Sequence, residues 1–388
     1  MARTLLPSSL LFLLCAFLLV NKAANPRILK TNGWLNLVRK IIIALILPPM
    51  LAGCSSPTPT PAPFANEITF YDWREDMPQS VLDAFTAEYG IQVNYLTYES
   101  QEEAIENIKA GQTYDVVVLE SRYIPQLIQE KLLAKLDQRN LDNTKNLSAN
   151  FRELAYDPGN RYSLPYNWGT TGLVVRSDLV AEPVTRWADL WDSRYAGRTA
   201  YWFGEPREII GLTLKSLGYS ANSETPEELE AALARLLELK PTIIQIEDPK
   251  ITWPDDLANG KIILAMGYAS DLLKGQALNS SITYVLPKEG ALLWNDTFTI
   301  PANSPKQVTA ELFLNFLMRA KINAQIVNEN LYATPNEVAF PFINADISSN
   351  AAIFPSNNDL VNAELITPLS PEGQKLFDEI WQRYEADP

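Results

Sequence analysis

The sequence predicts an α/β fold of two lobes, each a sheet flanked by helices. Three observations predict it. From Glu67 onward, short apolar strand-like runs alternate with amphipathic helix-like runs, the pattern of strands joined by helical crossovers. That pattern restarts after about a hundred residues, as a second lobe of the same class would. The chain has 388 residues at 47% hydrophobic content, enough to bury two cores.

The elements follow in order. "ITFYDW" reads as a buried strand, and "MPQSVLDAFTAEYG" sets Val81, Leu82, Phe85 and Tyr89 on one helical face before Gly90 as a stop signal. "IQVNYLTY" is a second strand, "SQEEAIENIKAG" a second helix, "YDVVVLES" a third strand and "YIPQLIQEKLL" a third helix. Ligands of such sheets gather at the carboxyl ends of the strands, where Trp73, Glu75, Asp76 and Glu120 fall. The second run repeats the mode, with "TGLVVRSD" and "TAYWFGE" as strands, then "REIIGLTLKSLG", "TPEELEAALARLLELK", "PTIIQIE", "KIILAMGYAS", "SITYVLP" and "LLWNDTFTIP". Trp187 and Trp191 read as core or helix-face residues.

Composition removes several functions. Acids outnumber bases 46 to 32, giving a net charge of −14 and favouring cationic partners over nucleic acid. With no histidine, Ser-His-Asp and Cys-His catalysis are excluded, and the commonest transition-metal ligand is missing. Chemistry built on carboxylates stays open.

Residues 1–53 read as a signal and targeting region. Arg39 and Lys40 precede a short apolar run ending in Leu51-Ala52-Gly53-Cys54, the order of a secretory signal and its small-residue cleavage site. The run is too short to span a bilayer comfortably. An earlier apolar run, Leu10 to Val20, fits either a start codon placed too far upstream or a further short anchor. Loss of this region removes six bases and no acids, leaving 26 bases against 46 acids, or −20. Residues 54–65 then form a cysteine followed by a Pro-rich extended spacer. Leu-Ala-Gly-Cys resembles the bacterial lipobox, which implies lipidation of Cys54 and a globular body tethered to the outer face of the cytoplasmic membrane.

Six collinear strings carry a wider resemblance: "FYDWREDMP", "YESQEEAIENIKAGQTYDVVV", "YSLPYNWGTTGLVV", "SLGYSANSETPEELEAA", "LPKEGALLWNDTFTIPANS" and "YATPNEVA". Together they resemble the spermidine/putrescine-binding proteins of bacterial ABC importers across nearly the whole chain beyond the linker. The resemblance implies a type II periplasmic-binding-protein ("Venus flytrap") fold with mixed sheets. Lobe 1 would hold residues 66–170 plus 295–340, and lobe 2 residues 171–294 plus 341–388. It further implies a monomeric receptor, not an enzyme, that needs no cofactor or metal, takes a polyamine in the interlobe cleft and delivers it to ABC permease subunits.

By position, the resemblance assigns ligand contact to Trp73, Glu75, Glu205, Glu208, Tyr268, Asp271, Trp294, Asp296 and Tyr332. Asp76 stands where the family often has tyrosine, and Glu120 and Arg122 replace small or aromatic residues; Asp76 and Glu120 join the predicted set. The chemistry suits the cargo, because ammonium groups separated by methylenes need carboxylates at the ends and rings between them. Two or three charge-assisted hydrogen bonds at ~1.5–3 kcal/mol with two cation–π contacts approach the ~8 kcal/mol of a micromolar complex, before ordering costs.

Several of these residues also have plain structural readings. Asp76 could cap a helix, Glu205 and Glu208 have capping-box spacing, and Asp271 could be a loop or cap acid. Glu75 could pair with Arg74 and Glu120 with Arg122, while Tyr268 and Tyr332 could be packing aromatics. Trp73, Trp294 and Asp296 could likewise be packing rings and a turn acid. Two other functions stay open: a glycosidase using two acids among Glu75, Glu205, Glu208 and Asp296, and the same fold carrying another solute.

Overall fold

The computed structural model describes residues 64–387, apart from 75, 203 and 247–252. The predicted targeting region, Cys54, the spacer through residue 63 and Glu75 lie outside the described residues. The first lobe opens as the sequence predicts, with β1 (Glu67–Trp73), α1 (Gln79–Tyr89), β2 (Gln92–Tyr98), α2 (Gln101–Lys109), β3 (Val116–Glu120) and α3 (Ile124–Gln129). Helix α1 stops at Gly90, whose φ of +69° suits a residue without Cβ. The third helix is shorter than expected: the chain turns at Lys131, with φ of +59°, and Leu133 then bridges to Pro301.

Strand alternation divides this lobe's core between two faces of the sheet. Ile68, Phe70, Val116 and Val118 pack on one face with Phe85, Phe298 and Phe313, while Tyr71, Val117 and Leu119 pack on the other with Tyr98, Ile105 and Ile124. Both faces are covered, as the near-continuous apolar strands require.

β4 (Ser163–Arg176) departs from expectation: it begins eight residues before Thr171 and runs for 14 residues. Its first part pairs antiparallel with β9 (Leu292–Thr299) beside the first-lobe core, and Thr171 onward pairs with β7 (Leu264–Tyr268), with β8 (Ile282–Val285) joining from Leu173. Pro165, which cannot donate to a ladder, sits at a register shift between Pro165 and Asn167.

The second lobe adds β5 (Thr199–Trp202), α4 (Pro206–Ser216), α5 (Pro226–Leu239), β6 (Ile243–Ile246), α6 (Trp253–Ala258) and α7 (Ala269–Leu278). Its main core joins Leu173, Trp187, Tyr201, Ile209, Leu233 and Met266. α8 (Gln307–Leu317) and α9 (Ala320–Asn330) return to the first lobe, followed by α10 (Ala345–Ser348), β10 (Glu364–Leu365) and α11 (Pro371–Ala386), whose Phe377 and Tyr384 complete the second-lobe core. Among the described residues the strands form one ten-stranded mixed sheet, ordered β2-β1-β3-β9-β4-β7-β5-β6, with β10 beside β9 and β8 beside β4. The two lobes are therefore continuous through β4 and β9. Among the described residues, no helix is long and apolar enough to cross a membrane.

The approach to β4 is pinned by one buried carboxylate. Asp157 accepts from the backbone N–H groups of Arg161 (3.1 Å), Tyr162 (2.9 Å) and Ser163 (2.8 Å) and from Ser163 Oγ (2.9 Å). Asp157→Ala should cost about 2–3 kcal/mol, since it strands several donors. Chemical denaturation should show a lower midpoint with an unchanged slope; an unaltered midpoint would remove this carboxylate from the account of the crossover.

Candidate functional site

The strand ends and the loops that follow them enclose a cavity of about 480 Å³, a size suited to a small-molecule ligand. Ten of the eleven predicted ligand residues line it: Trp73, Asp76, Glu120, Glu205, Glu208, Tyr268, Asp271, Trp294, Asp296 and Tyr332. The remaining one, Glu75, is outside the described residues.

Register explains much of the convergence. On β9, Trp294 and Asp296 point the same way because they are two residues apart. Across the ladders, Asp296 faces Glu120 of β3 and Asn167 of β4, so two carboxylates lie directly opposite one another. Trp294 faces Gly169, where a Cβ would stand 2.4 Å from the indole Cζ2; only a bare Cα leaves room for the ring.

Four rings line one side of the cavity in successive edge-to-face contacts. Trp202 meets Tyr268 at 6.1 Å and 80°, Tyr268 meets Trp294 at 5.7 Å and 83°, and Trp294 meets Tyr332 at 5.3 Å and 85°. Tyr332 follows Leu331, which takes a left-handed φ of +66° at the end of α9, a conformation costing on the order of 1 kcal/mol in a non-glycine residue. Trp73 is braced by Tyr98 at 4.7 Å, whose hydroxyl donates to Val118 O at 2.7 Å.

The acids have distinct partners. Asp76 does not cap α1, whose N-terminal cap is Pro78; it accepts from Asn167 Nδ2 at 3.4 Å and Asn330 Nδ2 at 3.3 Å. Glu205 occupies the cap position of α4 without a side-chain capping bond, and Glu208 accepts from Thr171 Oγ1 at 2.9 Å. Asp271 does play a capping part, accepting from Tyr268 N–H at 2.8 Å, while still lining the cavity. Glu120 Oε2 lies 2.8 Å from Arg122 Nε, and Arg122 Nη2 reaches Glu205 Oε2 at 3.5 Å.

Burial dominates the electrostatics. Desolvation raises the carboxyl pKa values of Asp296, Glu205 and Glu208, with neighbouring carboxylates adding to it, and brings Asp271 to about 6. Beneath the cavity, Asp72 is 0% exposed and is raised by burial and then by Asp76.

Sequence reasoning missed three contributors. Asp72 was legible as an acid inside an apolar strand, and Trp202 as a ring at the carboxyl end of β5, beside "GEPRE". Gly169 left no signal, because its need is set by the partner strand. Among the described residues no group of three or more acids, cysteines or histidines is arranged to hold a metal ion.

Two lobes carried on shared strands, with an acid-and-ring cavity drawing on both, define a solute receptor. The comparisons agree. Residues 80–355 match the family model described as bacterial extracellular solute-binding protein, and the chain belongs to that family. It is 32% identical to the spermidine/putrescine-binding periplasmic protein of Escherichia coli (strain K12) over 324 residues, covering 83% of this chain and 92% of the relative. The putrescine-binding periplasmic protein SpuD of Pseudomonas aeruginosa (strain UCBPP-PA14) is 29% identical over 366 residues, covering 89% and 98%. Among solved structures, the spermidine/putrescine ABC transporter substrate-binding protein PotD from Streptococcus pneumoniae strain Canada MDR_19A superimposes with a TM-score of 0.73 at 28% identity, covering 83% and 99%.

Raised carboxyl pKa values set the pH response. Above about pH 4.5 an unfolded chain has released these protons, whereas the folded cleft still holds some of them, so the folded state binds more protons. Stability of the ligand-free protein should therefore fall as pH rises from about 4.5 toward 7. Surface acids lowered by arginine, such as Asp192 and Glu230, contribute an opposite slope only in the lower part of that window, because their unfolded-state protons are gone by about pH 6. Thermal melts should show a lower melting temperature at pH 7 than at pH 5, with a smaller difference in Glu208→Gln; a rise between those pH values would contradict the assignment.

Proposed function

We propose that this protein is an extracytoplasmic receptor that captures polyamines of the spermidine/putrescine class in its interlobe cavity and delivers them to the permease subunits of an ABC importer. One observation carries the reading: Asp296 is 7% exposed, its carboxylate accepts no hydrogen bond from any described side chain, and it faces Glu120 across the ladder and shares its strand with Trp294. A desolvated carboxylate beside an indole and a second acid is matched by an alkylammonium, which supplies both charge and hydrogen-bond donors. The polyamine-binding relatives support the same choice.

The division into lobes at 170/171 and 294/295 is supported by the cores, since Leu164 and Phe298 pack in the first lobe and Leu173 and Leu292 in the second. Ligand contacts on both sides would favour closure about β4 and β9. One chain supplies the whole cavity lining, which supports a monomeric receptor, and its solute-binding family supports binding without turnover.

Calorimetry on the purified protein should show saturable binding of putrescine or spermidine, and Asp296→Ala should weaken it by about ten- to hundredfold, the value of one charge-assisted hydrogen bond. No heat with any di- or polyamine would defeat the reading.

Anchoring through an acylated Cys54 is supported by the apolar run, the Leu51-Ala52-Gly53-Cys54 string and the Pro-rich spacer. Cys54→Ala should lose acyl label and leave the membrane fraction in a bacterial host. Full labelling of the variant would refute the anchor.

A further inference from the structure

We propose that Arg122, a buried cation paired with two carboxylates of the cavity lining, withdraws those carboxylates from a ligand ammonium and so selects a shorter, doubly charged amine over a longer, triply charged one. The inference rests on the polyamine reading. Glu120 ends β3 in the first lobe and Glu205 starts α4 in the second, so a cation between them touches both lobes. The chain itself supplies such a cation: Arg122 Nε lies 2.8 Å from Glu120 Oε2, and Nη2 lies 3.5 Å from Glu205 Oε2.

The guanidinium is built in rather than loosely draped. Its side chain is 9% exposed, and it lies over the Tyr123 ring at 4.8 Å from the centroid. Unlike a lysine, arginine stays charged at every relevant pH and offers a fork of donors to two acceptors at once. The nearby Arg207 does not share the task, because its Nη atoms are committed to Ala221 O at 2.8 Å and Asn222 Oδ1 at 2.6 Å.

Selectivity follows from charge more than from space. Glu120 and Glu205 both line the cavity, so in the absence of Arg122 they would attract a terminal ammonium. With it, an ammonium arriving at that end meets a like charge and two carboxylates already partnered. The cationic groups of the ligand are then left to the rest of the cavity, where Asp76, Glu208, Asp271, Asp296 and the ring series stand, with Arg74 and Lys274 also in the lining. A triamine calls on more of these acids than a diamine does, so withdrawing Glu120 and Glu205 weakens the triamine more.

The test is calorimetry of putrescine and spermidine on the purified full chain, its Arg122→Gln variant and its Arg122→Lys variant. Wild type should bind putrescine more tightly. In Arg122→Gln the spermidine-to-putrescine affinity ratio should rise by about tenfold or more, since one charge-assisted contact becomes available to the longer amine. Arg122→Lys, which keeps the charge, should stay close to the wild-type ratio. Tighter spermidine than putrescine binding by wild type would overturn the inference even if the glutamine variant fails to fold. An unchanged ratio in a folded Arg122→Gln protein would do the same while leaving the polyamine reading intact. Failure of wild type to bind either amine would instead remove the reading on which the inference rests.

Discussion

Carboxylates held close together away from water repel one another, and this protein gathers several of them at the ends of a few strands. Glu120 and Asp296 are direct partners across an antiparallel ladder, with Asp72, Asp76, Glu205 and Glu208 close enough to bias their protonation or one another's. Such a cluster is destabilising by itself, because desolvation and mutual repulsion both oppose ionisation. Protons relieve it when the cleft is free of ligand, and a cation relieves it better. The strain and the selectivity have the same origin.

The scaffold must hold that cluster in register while leaving it divided between two bodies. β4 and β9 meet both demands. Each runs from one core into the other, so Asp296 belongs to the first-lobe ladder and Trp294, two residues earlier, packs against Gly169 and Tyr268 at the crossing. A ligand touching both ends of these strands is sensed by both lobes without a separate connecting segment. The helices contribute at their termini: Glu205 and Glu208 at the start of α4, Asp271 in the first turn of α7, and Tyr332 just beyond the left-handed end of α9.

Much of this was legible in the sequence, for physical reasons that differ from element to element. The strands and helices of the first lobe show their alternation and stop signals locally, so β1 to α2 could be read closely. The full extent of β4 could not, because its first half contains Pro165 and polar Asn167 and is a strand only by virtue of pairing with β9. The capping alternatives for Asp76 and Glu205 were equally sound on spacing; their carboxylates turn instead toward the cavity, while Asp271 serves both roles.

Sequence by itself determined the kind of chemistry present: an acidic chain without histidine, carrying aromatic and acidic residues at strand ends, with collinear strings that mark its family. Tertiary structure alone decided which acids are left facing the cavity and which are met by the chain's own cation. Arg122 and Glu205 are 83 positions apart, and their encounter across the cleft depends on how two lobes close on a shared pair of strands. Local patterns encode what a segment becomes, whereas the net charge of a site depends on which distant segments approach within a few ångströms, where Coulomb interactions are strong enough to matter.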